Sequence, residues 1–310
     1  MQTINGLKDH VEDLVFLDQL ASKEGANAYF HRIIANTHHM CEAIAACEQQ
    51  DISRNDILNS LQKTRAVYQK SPFLRHLHQW PRGYAGDFES IEYLYGNKES
   101  APKYTAAHVI EYHALNSAIA QQHRNKVQIQ AQVVVEGVTQ AQKPLSVLSV
   151  ACGSSLDLAQ IQYVLQSQEV RVVLNDIDPD ALERSRANLS GLDRCTFIQG
   201  NILSQRALIQ NEGPFDVIIC GGLFDYLSDK QVRFLIHHLY TRCLKPGGQL
   251  FFTNLLKGNP FRVWMSYLAN WDVIERSQDE MRALIDPAAS FSMGTDPTGL
   301  TLWVKMNRPR

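Results

Sequence analysis

The residues with most chemistry to offer stand at the ends of short apolar runs. Pro144-Leu-Ser-Val-Leu-Ser-Val-Ala-Cys-Gly-Ser-Ser-Leu-Asp157 ends such a run in a turn of small residues. Small residues let a ligand approach the backbone, and a helix starting there offers unpaired N–H groups. Gly153 is the one glycine in the turn, so the G-x-G-x-x-G pattern of a dinucleotide site is absent. An ordinary strand-to-helix turn would look the same. About 20 residues further on, Asn175-Asp-Ile-Asp178 closes a second run, and an acid at that spacing accepts hydrogen bonds from ribose hydroxyls. Asp176, at the close of the run, is the choice for that role, and Asp178 reads as a helix cap. A third run closes on Gln199-Gly-Asn201-Ile202, where a polar and an aliphatic side chain suit the edge and face of an adenine ring. The fourth, Phe215–Cys220, opens into Gly221, Gly222, Phe224, Asp225 and Tyr226.

Positioning these groups requires a parallel sheet. The pattern predicts strands at 146–151, 171–175, 195–199, 215–220 and 248–254, apolar without alternation, as in strands covered on both faces. Helices are predicted between them at 156–167, 179–190 and 228–243, the second begun by Asp178-Pro179. Such alternation implies a doubly wound α/β fold, with ligands at the carboxyl ends of the strands. After a helix near 278–285, strands at 289–293 and 300–306 are joined too briefly for a helical crossover and must pair antiparallel. Before residue 143 helical periodicity dominates: Leu14, Leu17 and Leu20 form one set, and 107–138 reads as one helix. Two domains are expected, a helical lid domain over 1–142 and a catalytic domain over 143–310.

Composition narrows the partners. The 310 residues carry a net charge of −2 and a pI near 6.6, which argues against a general nucleic-acid binder. The N-terminal stretch has no signal-peptide core and no apolar run is long enough to span a bilayer, so a cytoplasmic protein without membrane insertion is expected. The six cysteines form no C-x-x-C pair, so buried thiols are expected and no metal site.

Taken in order, the small-residue loop, the acid after the second strand, Asn201-Ile202, Phe215-Asp-Val-Ile-Ile219 and Leu244-Lys-Pro-Gly-Gly248 resemble the class I S-adenosylmethionine-dependent methyltransferases. The resemblance implies a Rossmann-like seven-stranded sheet whose last strand runs antiparallel. It implies S-adenosyl-L-methionine as cofactor, with Gly153 at its methionine part, Asp176 at the ribose and Asn201 and Ile202 flanking the adenine. The chain departs from the family at Ser149, where an acid is usual, and at Ala151 and Ser155, where glycines are. Trp80-Pro-Arg-Gly-Tyr-Ala-Gly-Asp87, Ala151-Cys-Gly153, Gly222–Leu227 and Asn259-Pro-Phe-Arg262 are similar to a bacterial subgroup that includes makers of 3-hydroxy fatty acid methyl ester signals. That subgroup carries a helix resembling Ser117–Arg124 with a basic residue directed at the cofactor.

The resemblance orders the remaining candidates. Cofactor binding is expected of Arg82, Asp87, Arg124 and Gly221, besides Gly153, Asp176, Asn201 and Ile202. Arg82 suits a carboxylate and Asp87 the cofactor's ammonium, although Asp87 is equally a helix cap. Tyr84, Phe224, Asp225 and Arg262 are the expected acceptor contacts, and His113 and Tyr226 the catalytic candidates. The acceptor is expected to be a small molecule. Carboxyl O-methylation of a hydroxy fatty acid is the leading expectation and S-methylation of methionine or a similar thioether its rival. A non-catalytic, cofactor-binding regulatory module is the alternative from another class.

Overall fold

The computed structural model describes residues 2–20, 26–140 and 144–310. Contacts divide the chain into two compact units, Met1–Gln121 with Pro260–Asp272, and Gln122–Asn259 with Val273–Arg310. The expected boundary at 142/143 lies outside the described residues.

The first unit is helical. α1 (Gln2–Leu20) buries Leu7, Val11, Leu14 and Leu17, at the steps of three and four that put them on one face. After it come α2 (Ala26–Gln49), α3 (Arg54–Ser60), α4 (Gln62–Tyr68), α5 (Pro72–Gln79), α6 (Phe88–Gly96) and α7 (Ala106–Asn116). Their starts are written in the sequence: Ser53, Ser71, Asp87 and Thr105 each cap a helix through the side chain. Glu111 of α7 is wholly buried and accepts from Ser71 Oγ, Phe73 N, Ser100 N, Ser100 Oγ and Ala101 N. These donors hold the carboxyl below the usual range against the cost of burial, and they tie the loop before α7 to the start of α5.

The helix expected over 107–138 is two helices. At Ser117 the backbone turns extended, with ψ 159°, and the Ser117 side chain accepts from Ala120 N at the start of α8 (Ala118–Gln140). The run VQIQAQV lies within α8 and is helical.

The second unit is built on a seven-stranded sheet. Its elements are β1 (Ser146–Val150), α9 (Leu156–Gln160), α10 (Gln162–Ser167), β2 (Arg171–Asp176), α11 (Pro179–Asn188), β3 (Cys195–Gln199), α12 (Ile202–Glu212), β4 (Phe215–Cys220), α13 (Asp229–His238), β5 (Leu244–Leu255), α14 (Gln278–Arg282), β6 (Ser290–Thr295) and β7 (Thr301–Asn307). The order is β3-β2-β1-β4-β5-β7-β6, parallel from β3 to β5, with β7 antiparallel to both neighbours. This is the Rossmann-like methyltransferase sheet expected from the sequence. One face of the sheet packs Val147, Leu174 and Val217 against α8, α9, α10 and α11; the other packs Leu148, Val173 and Ile218 with α12 and α13. Gly137 lets α8 lie directly on β4, since a Cβ there would meet Val217 Cγ2 at 2.2 Å.

α12 is a helix that the sequence pattern did not predict, and further details differ from expectation. The helix over 156–167 breaks at Ile161, and β5 reaches back to Leu244, with a register shift against β4 between Phe215 and Val217. All six cysteines are free, and no described helix is long and apolar enough to cross a membrane.

Candidate active site

Parallel strands end together, so the loops after β1, β2, β3 and β4 share one edge of the sheet. The loop after β1 is unusual in its backbone. Ala151, Gly153 and Ser155 have φ of 50°, 53° and 56°. Left-handed backbone costs a non-glycine residue about 1–2 kcal/mol. The strain therefore falls at the two positions where the resemblance calls for glycine. α11 braces the loop from behind: Ser185 Oγ donates to Gly153 O at 2.8 Å and lies 2.8 Å from Ser155 Oγ, and Asn188 Nδ2 donates to Ser154 O at 2.8 Å. Burial and the charge of Asp176 push the Cys152 thiol far up, which keeps it in the thiol form.

Asp176 joins the first two loops. One carboxylate oxygen accepts from Gly153 N at 2.8 Å and the other from Asp178 N at 3.0 Å. Burial raises its pKa while these N–H groups lower it. Asp178 caps α11 through Asp180 N, as read from the sequence. Beside Asp176, Ile177 is 56% exposed, an apolar side chain left open at the sheet edge. Asn201 caps α12 through Leu203 N, whereas Ile202 is buried in the core. At the ends of β2 and β3 the exposed large apolar side chain is therefore Ile177.

At the end of β4, Gly221 and Gly222 meet α8. A Cβ on Gly221 would lie 1.6 Å from Gln130 Oε1, and one on Gly222 would lie 3.5 Å from Lys126 Nζ. Gln122, Lys126 and Gln130 are all buried and recur every four residues, so they form one stripe of α8. Gln122 bonds Thr301, and Asn125 donates to Asp296 at 2.8 Å, which anchors this end of α8 to the β6–β7 turn. Lys126 Nζ faces Asp225 at 3.8 Å. Asp225 also accepts from Leu255 N at 2.6 Å; burial raises its pKa and Lys126 opposes the rise. Phe224 is wholly buried against Phe252, with ring centroids 4.8 Å apart, while Tyr226 is 41% exposed. Buried Arg276 donates to the carbonyls of Phe224 and Leu227 and fixes the turn that carries them. Arg124, on the same helix, is half-buried, and desolvation lowers its pKa.

The remaining candidates belong to the helical unit. Asp87 caps α6 through Ser90 N at 2.7 Å and meets His76 Nε2 with both oxygens, at 2.9 and 3.0 Å. Arg82 donates to Glu89 at 2.7 Å and stacks over Phe88 at 4.4 Å. Tyr84 is half-buried between them in the sequence. Arg262 pairs with Glu48, which also accepts from Tyr267 Oη at 2.9 Å. Burial and nearby His38 push His113 down to about 4, so its imidazole is neutral at pH 7.

Residues 147–248 match the methyltransferase domain family. The chain is similar in structure to a possible exported protein from Bordetella parapertussis, at 17% identity over 94% of this chain and 99% of that one, with a TM-score of 0.63. It is also similar to an O-methyltransferase family protein from Burkholderia thailandensis, at 20% identity, covering 64% of this chain and 62% of that one, with a TM-score of 0.45. A comparison with curated proteins finds no match. The fold is thus a methyltransferase fold, for which S-adenosylmethionine is the cofactor expected from the sequence. The residues present fit that group. Asp176 has lone pairs beyond its backbone donors, Ile177 offers an open apolar face beside it, and Gly222 keeps the end of β4 clear of side chain.

Proposed function

We propose that the chain transfers a methyl group from S-adenosylmethionine to the carboxylate of a small molecule, with a hydroxy fatty acid as the leading acceptor. The supporting observation is Lys126, a buried ammonium at the end of β4 beside Gly222. A buried cation at a ligand-facing strand end suits an anionic acceptor, which it can orient and hold out of water. The cofactor supplies a methyl already activated on a sulfonium, so a carboxylate needs no base to attack it. That agrees with Asp225, whose carboxylate is committed to Leu255 N–H and Lys126. Asp176 would accept from the ribose hydroxyls, Ile177 and Asn201 would border the adenine, and Arg124 would meet the cofactor's carboxylate. Tyr226 would border the acceptor.

The test is transfer from cofactor labelled at the methyl to a panel of small hydroxy acids. A labelled product that releases methanol in mild base supports the reading, and a base-stable product sinks it. Lys126→Met should raise the acceptor KM about tenfold or more, with affinity for S-adenosylhomocysteine kept. If that variant instead loses S-adenosylhomocysteine, Lys126 belongs to the cofactor and the carboxylate reading loses its support.

A further inference from the structure

We propose that Asp157 receives the ammonium of the cofactor's methionine end, an inference that rests on S-adenosylmethionine as the methyl donor. The methionine end is a zwitterion, and an ammonium taken out of water needs an anion or several acceptors to replace its hydration. Ser149, buried in β1, brings no charge. The acids along this edge of the sheet are otherwise engaged. Asp176 holds Gly153 N–H and Asp178 N–H, Asp178 caps α11, and Asp225 faces Lys126 and Leu255 N–H.

Asp157 differs from them. It is 6% exposed, two residues beyond left-handed Ser155, and its carboxylate accepts from backbone N–H groups alone, that of Leu158 at 2.9 Å and its own. No cation among the described residues pairs with it. It stands in the first turn of α9, which follows directly on the loop after β1. A carboxylate buried without a counter-ion is costly in the free protein and is repaid by a cation that arrives with a ligand. Asp87, the other acid considered for this role, already has His76 and Ser90 N–H as partners within the helical unit.

Calorimetric titration with two probes separates the possibilities: S-adenosylhomocysteine, and its deamino analogue, which keeps the carboxylate and lacks the ammonium. Wild type should prefer S-adenosylhomocysteine. Asp157→Asn should lose about tenfold to a hundredfold in affinity for S-adenosylhomocysteine and little for the analogue. Equal losses for both probes would mean that Asp157 only shapes the loop, and no loss for either would remove it from the site; each overturns the assignment. If wild type binds neither probe, the methyl-donor reading itself falls, an outcome distinct from failure at Asp157 alone. A melting curve of the variant confirms that it is folded.

Discussion

Replacing Asp157 with Asn should make the free protein more stable, and the gain should depend on pH. Burial raises the Asp157 pKa from 3.8 to about 6. Each unit is worth 1.36 kcal/mol, so roughly two units correspond to about 3 kcal/mol at pH 7. Because the folded pKa lies above the unfolded one, the folded state binds more protons between the two values. Stability is therefore fully present below pH 3.8 and lost as pH rises through about 6. Asparagine has no such loss. The variant's advantage should be near zero at pH 4 and approach about 3 kcal/mol at pH 7, or about 6–12 °C in melting temperature for a unit of this size. Differential scanning calorimetry of both proteins from pH 4 to 7.5 measures it, and subtracting the two curves cancels every other titrating group. Saturating S-adenosylhomocysteine should shrink or reverse the advantage, because the ligand's ammonium then compensates the wild-type charge. A gain independent of pH, or a loss of stability at pH 7, would refute the reasoning.

Other consequences follow from the same contacts. Asp176→Ala should weaken S-adenosylhomocysteine binding by about 1–3 kcal/mol by calorimetry, toward the upper end because Asp176 also holds the Gly153 N–H; unchanged affinity would remove it as the ribose ligand. Ala151→Gly should stabilise the free protein by about 0.5–1 kcal/mol in denaturant titration, the left-handed strain relieved less the extra freedom of glycine when unfolded. Glu111→Gln should destabilise the helical unit by about 3 kcal/mol or more, because an amide N–H₂ would face donors. The Glu111 pKa is depressed below its ordinary 4.5, so the wild-type contribution is present above that value and lost as pH falls through the lower folded one. The gap between wild type and the Gln variant should accordingly narrow in acid, which denaturant titrations at pH 3.5 and 7 would show.

The sheet was legible because its central strands are buried on both faces and so read as unbroken apolar runs, and because the short link Asp296–Leu300 forbids a helical crossover between β6 and β7. α12 was not read: its core contribution comes from Ile202 and Ile209 amid polar residues, a periodicity too thin to see. The break at Ser117 was signalled only by one capping residue inside a longer helical pattern. Within the site, the strand-end positions of Gly153, Asp176 and Gly221 followed from topology. What escaped depends on tertiary burial. An Asp in the first turn of a helix ordinarily serves the helix dipole, and nothing local marks Asp157 as buried without a cation. A helical lysine ordinarily faces water, yet Gln122, Lys126 and Gln130 repeat every four residues on a helix that ends by packing on the sheet through Gly137. That repeat was the available signal for Lys126. Ile177 was passed over between two aspartates whose roles seemed to account for the segment.

On this reading the edge formed by the loops after β1, β2 and β4 binds S-adenosylmethionine as a methyl donor. Its most direct test is calorimetric titration of the whole chain with S-adenosylhomocysteine and, separately, with NADH. Saturable one-to-one binding of S-adenosylhomocysteine and none of NADH is expected. Binding of NADH with no response to S-adenosylhomocysteine would contradict it.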